Sequence, residues 1–228
     1  LYLYTRRNTQ AILAASLLLF YWIAMMFFPT PGYDKPMLEP GINLAAWIDS
    51  KLLPGSMWQK TWDPEGIFST LPAIASGITG MLAGKLILSP KTMEQKIILL
   101  FIAGFAAATL GVVWSWHFPL NKALWTSSFV MVTSGLASMT LAASMFLVDH
   151  LHYEKYAKPW IIFGSNAISV YVLAGLIGFF FYGIPIGGAS LKAHFMNFLT
   201  GAGSSPQFAS LLYALMYVAI LFIPAIIL

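Results

Sequence analysis

In 228 residues the chain carries 59% hydrophobic and only 9% charged residues, against roughly 25% charged residues in an ordinary soluble domain, and this excludes a soluble globular fold. The net charge of +4 does not point to nucleic acid, because the basic residues sit mainly beside the ends of apolar runs, where they set membrane orientation. With no cysteine, disulfides, thiolate metal sites and a cysteine nucleophile are excluded within these residues.

The first apolar run, Ala11 to Phe28, follows the Arg6-Arg7 pair. It is longer than a signal-peptide core and no small-residue cleavage site follows it, so it reads as a true span. Further spans are expected over 67–88, 97–116, 124–148, 160–184 and 208–228, each long enough to cross a hydrocarbon core of about 30 Å. None shows the ten-residue alternation of barrel strands, so the spans are helices. The expected fold is all-α: a single polytopic transmembrane helix bundle of about six spans, with the lipid bilayer as its main partner. An opening Leu and an ending inside an apolar run make the chain read as a fragment of a larger membrane protein.

The positive-inside rule places Arg6, Arg7, Lys91, Lys96, Lys155 and Lys158 in the cytoplasm, leaving Lys122 and Lys192 opposite. The segment 29–62, the turn 117–123 and the loop 185–207 then face outward. In the second span Gly80 and Gly84 form a small-x-x-x-small pair, which is expected to pack helices closely, as are Gly104 and Ala108 in the third.

Three polar groups lie at or inside span boundaries, where an ionisable or amide group is costly unless partnered. In Asp63-Pro64-Glu65-Gly66, Asp63 suits an N-cap, Pro64 the first helical position and Glu65 the first turn. A carboxylate there also suits a substrate amine or general-base work. In the stretch from His117 to Ser128, Pro119 and Asn121 make a turn and Trp125 sits at interfacial depth. Lys122 offers a cation, while Asn121, Thr126, Ser127 and Ser128 offer donors and acceptors for a sugar or a phosphate. In Gly164-Ser165-Asn166-Ala167-Ile168-Ser169-Val170-Tyr171, Asn166 either bonds across helices or lines a cytoplasm-facing pocket. No histidine is paired with carboxylates at a metal-binding spacing, so no metal site is expected.

Taken in order, D-P-E-G-I at Asp63 to Ile67, P-x-N-K-x-L-W at Pro119 to Trp125 and G-x-N-[AS]-I-x-V-Y at Gly164 to Tyr171 resemble the heparan-α-glucosaminide N-acetyltransferase family, carboxy-terminal part. The short outer segment is similar to that of bacterial members, which implies the bacterial inner (cytoplasmic) membrane. The resemblance implies acetyl transfer from cytoplasmic acetyl-CoA to the amino group of a terminal glucosamine on the other side. It makes Asp63, Glu65, Asn121, Lys122, Trp125 and Ser127 substrate-side candidates and puts Asn166 and Tyr171 on the cofactor side. The family's catalytic His, with its R-G and Asn neighbours, belongs to helices upstream of Leu1. The His-Glu pair that eukaryotic members carry after the G-x-N motif is replaced by Ala174 and Gly175. An inner-membrane N-acetylglucosamine transporter and a structural subunit without ligand stay open as alternatives, as does a homo-oligomer.

Overall fold

The computed structural model describes residues 5–53, 55 and 57–228. These form two compact units, one reaching to His152 and one running from Tyr153 to Leu228.

The first unit is built on four long helices: α1 Arg7–Phe27, α3 Thr70–Ile87, α4 Met93–Ser115 and α5 Ser127–Met145, with a short amphipathic helix α2, Leu44–Leu52, in the segment after α1. A wide π turn, Phe146–His150, continues α5. The long helices have the length and hydropathy to cross a membrane, and large side chains such as Phe20, Phe101, Phe105 and Leu110 stay exposed on them. That surface is stable only against lipid.

Antiparallel neighbours are tied at both ends. Lys85 Nζ, in the last turn of α3, donates to the Thr5 carbonyl before α1 at 3.2 Å. At the opposite end Tyr21, late in α1, donates its hydroxyl to the Leu124 carbonyl just before α5 at 2.7 Å. Between them lies a core of Ala14, Leu18, Ala75, Ile78 and Val130.

The closest pairing is α4 with α5. A Cβ placed on Gly135 would lie 2.5 Å from the Gly104 carbonyl oxygen and the Ala108 nitrogen, and one on Gly111 2.7 Å from the Val132 nitrogen. Gly104 and Ala108 therefore do bring backbones together, as expected. Gly80 and Gly84 do not, because a Cβ on either would meet no atom within 4 Å.

In the second unit the apolar run 160–184 is not one straight span. It forms α6, Glu154–Ser165, and α7, Ala167–Gly178, followed by a π turn, Phe179–Gly183. The axis bends by 71° at the break. Asn166 is the hinge, with φ −112° and ψ 23° outside helical geometry. Its Nδ2 donates to the Ile162 carbonyl at 3.1 Å and to the Ala225 carbonyl at 3.2 Å, replacing backbone bonds lost at the break with one to α9, Pro206–Ile227. A two-residue hairpin, β1 Pro185–Ile186 with β2 Ala189–Ser190, leads into α8, Leu191–Gly201. Among the described residues five helices qualify as spans, six if the bent pair is counted as one. The protein is an all-α, polytopic membrane helix bundle.

Candidate functional site

The first two motifs converge at the end of the first unit where α1 finishes. Tyr21 joins them: its ring lies 5.1 Å from that of Phe68, just after the D-P-E-G turn, and its hydroxyl holds Leu124 inside the P-x-N-K-x-L-W turn. Phe118 and Leu124 are buried in the same cluster.

The helix expected to begin at Pro64 begins at Thr70. Asp63 instead folds a local turn, accepting the Glu65 N–H on Oδ1 at 2.9 Å and the Trp58 N–H on Oδ2 at 3.2 Å. The donors that lead into α3 go to a residue with no local sequence signature. Asp49, 1% exposed on α2, accepts the N–H of Ile67 at 2.9 Å and of Phe68 at 3.3 Å on Oδ1. This explains Gly66, since any Cβ there would overlap the Asp49 carboxylate. Burial pushes the Asp49 carboxyl above its ordinary value, the Phe68 and Ile67 donors pull it back, and the charge of Asp63 adds to the rise. Trp58, Asp63, Pro64 and Glu65 line a surface hollow of about 340 Å³. With Asp49, which feels the charge of Asp63, three carboxylates share this neighbourhood.

The second motif is a braced turn. Asn121 Oδ1 accepts the N–H of Ala123 at 2.9 Å and of Leu124 at 3.2 Å, an Asx turn. The buried Thr126 accepts the Asn121 N–H and donates to the Pro119 carbonyl. Ser127, fully buried, donates to the Leu18 carbonyl of α1 at 2.7 Å. The amide oxygen of Asn121 and the hydroxyl of Ser127 are thus engaged in holding the turn, while Lys122 is exposed.

Trp125 is held differently. Its φ of 51° lies in the left-handed region, rare for a bulky L-residue and a pointer to local constraint. Its indole Nε1 donates to Ser76 Oγ of α3 at 3.0 Å, and its ring packs edge-on to Phe129. Below it a groove of about 460 Å³ runs between α3 and α5, lined by Gly80, Gly84 and hydroxyls including Ser76, Thr79, Ser134 and Ser138. Thr79 and Ser134 bond to each other across it at 3.0 Å. The small residues of α3 thus shape an open groove below Trp125 instead of seating a neighbouring helix.

The third motif lies in the second unit. The amide nitrogen of Asn166 is committed to Ile162 and Ala225, and Tyr171 is 81% exposed on α7. Of the residues that shape the site, Asp49, Tyr21 and Ser76 were not singled out by the sequence. Each acts through a partner at least 18 positions away, which no local pattern records.

The fold and this arrangement define a multi-pass membrane protein with an acidic hollow and an indole-capped, hydroxyl-lined groove at the end of its bundle. No family model matches the chain. Over 183 residues it is 29% identical to heparan-alpha-glucosaminide N-acetyltransferase of Mus musculus and of Homo sapiens, covering 66% of this chain and 28% of each relative. These matches support a family relationship between this chain and that N-acetyltransferase. The matched segment therefore spans little more than a quarter of the relatives' own length.

Proposed function

We propose that this chain is the acceptor-shaping part of a membrane acetyltransferase that passes acetyl from cytoplasmic acetyl-CoA to the amino group of a glucosamine-type sugar on the outer side of a bacterial inner membrane. The observation that carries the reading is that two motifs shared with the resembled family are drawn together by Tyr21 at one end of the bundle, beside an acidic hollow.

Asp63 and Glu65 suit the cationic amine of an amino sugar, and a carboxylate there can take the proton that the amine must shed before it attacks. Trp125 offers a flat apolar face of the kind sugar rings stack on, fixed by Ser76. Lys122, exposed on the turn, reaches sugar hydroxyls or a developing oxyanion. Asn121 and Ser127 act on the acceptor through the turn geometry that they hold. The acetyl donor supplies an activated thioester carbonyl. On the donor side Asn166 keeps an amide oxygen free to accept a hydrogen bond and Tyr171 offers its phenol. The nucleophile or base nearest the carbonyl is, by the resemblance, the family's catalytic His.

The test supplies labelled acetyl-CoA outside inverted vesicles that hold the full-length protein and enclose glucosamine. Labelled N-acetylglucosamine should accumulate inside, and Asp63→Asn should raise KM for the sugar about tenfold, the size expected for one lost charge-assisted hydrogen bond. Product no higher than in empty vesicles would sink the proposal.

A further inference from the structure

Three cations from three elements meet at the other end of the first unit, where α1 begins. Arg7 is the first residue of α1, Lys85 lies in the last turn of α3, and Lys91 sits in the turn leading to α4. All three line one groove of about 490 Å³, with the Ser89 hydroxyl beside them and Leu82, Leu99 and Ala103 forming its apolar wall. No carboxylate is among the lining residues. The acidic residue that opens α4, Glu94, is turned to His150 at 3.7 Å. Lys85 is held in place by the Thr5 carbonyl.

Basic residues that only orient a membrane protein need no shared concavity. Here the cations repel one another across a hollow that has apolar walls. Such an arrangement is favourable when an anion neutralises it in a partly desolvated setting. A single carboxylate head would occupy one or two of the three cations. A phosphate, or a run of phosphates, carries enough charge and acceptor oxygens for all three together with Ser89. The apolar wall then takes the less polar remainder of the molecule.

The geometry points to Arg7, Lys85 and Lys91 as the binding site for the phosphate head of an amphipathic ligand. Two sources share that chemistry: the nucleotide end of a coenzyme A thioester and the head of an anionic phospholipid. The site stands whether or not the acetyl-transfer reading does, because it is tested by binding and not by turnover.

The experiment uses full-length protein in nanodiscs of phosphatidylcholine, titrated calorimetrically with coenzyme A. A parallel set of nanodiscs containing phosphatidylglycerol is analysed by native mass spectrometry for retained lipid. Lys85 is left intact because it ties α3 to the chain before α1, and Arg7 and Lys91 are changed together. If coenzyme A is the source, the wild type binds it, R7Q/K91Q binds it about a hundredfold more weakly, at about tenfold per lost charge, and R7K/K91R stays close to wild type. If lipid is the source, coenzyme A gives no heat, and phosphatidylglycerol retained by the wild type and by R7K/K91R is lost from R7Q/K91Q. Equal occupancy of both ligands in wild type and R7Q/K91Q would overturn the site. Should R7Q/K91Q fail to fold, inorganic pyrophosphate added to the wild type should displace whichever ligand is bound, and failure to displace it would be equally decisive against the site.

Discussion

Replacing Asp49 tests whether a short helix outside the spans fixes where the second span starts. The side chain is 1% exposed and accepts the Ile67 N–H at 2.9 Å and the Phe68 N–H at 3.3 Å, just ahead of Thr70, where α3 begins. Asp49→Ala removes the one oxygen, Oδ1, that both donors share. A buried donor left unsatisfied costs about 1–3 kcal/mol. Both donors here are only part-buried and one bond is long, so the lower end applies to each, for a total of about 2–3 kcal/mol. Asp49→Asn keeps an amide oxygen where Oδ1 sits and should cost under about 1 kcal/mol.

The pair also carries a pH signature. Because burial raises the carboxyl in the folded state, the fold binds this proton more tightly than the unfolded chain does. Its contribution to stability is complete below the ordinary carboxylate value of about 4 and is lost as pH rises through the raised folded value. Asp49→Asn has no such loss and should gain on the wild type as pH climbs from about 4 towards neutrality. The assay is thermal unfolding of the full-length protein in detergent, followed by circular dichroism and tryptophan fluorescence across that range. Equal midpoints for Asp49→Ala and Asp49→Asn would refute the capping argument, and parallel pH profiles for Asp49→Asn and wild type would refute the titration argument.

Gly66→Ala should lower the same midpoint, since its Cβ must displace the Asp49 carboxylate; a variant as stable as wild type would show that α2 can shift freely. Gly135→Ala forces a methyl against the backbone of α4 and should cost about 1–3 kcal/mol. Gly80→Ala enters open space and should be neutral or up to about 1 kcal/mol stabilising. Equal stabilities for these two, measured side by side, would contradict the packing described. Asn166→Ala removes the bond from the helix break to α9 and should cost roughly 1 kcal/mol, read as a lower unfolding midpoint; no change would mean that the bend is held by packing alone.

The spans were legible because the evidence for each is a single long run: 18 or more apolar residues admit one solution in a bilayer. The short helices α2 and α8 were not, because nine or eleven mixed residues, as in Leu44–Leu52 and Leu191–Gly201, are too short for such a constraint. The motif carrying Asn166 was visible as polar residues inside an apolar run. Its bend was not, because the bonds that hold it reach Ile162 and Ala225, and only the first is near in sequence. Spacing alone treats Gly80-x-x-x-Gly84 and Gly104-x-x-x-Ala108 alike. Only the second meets a partner, Gly135, 27 positions beyond Ala108, and small residues say where a backbone can approach, never that one does. The carboxylates, amide and indole of the candidate site were named by motif, yet the residues that hold their turns and ring in place, Asp49, Tyr21 and Ser76, belong to other elements and emerge only in three dimensions.

The contact between α4 and α5 also bears on motion. Where Gly104, Ala108 and Gly111 meet Gly135 and Val132, main chain comes up against main chain, and the few side-chain atoms at the contact, Ala108 Cβ, Val132 Cγ2 and Met139 Cγ, leave little room to absorb a displacement. Sliding one helix past the other by even a fraction of a turn drives peptide groups into each other, so the pair behaves as a stiff girder. Rearrangement in the first unit is then carried by the looser seam between α3 and α5, where hydroxyl and glycine leave empty volume. The indole of Trp125, hung from Ser76 across that seam, would be the first side chain to register such a movement.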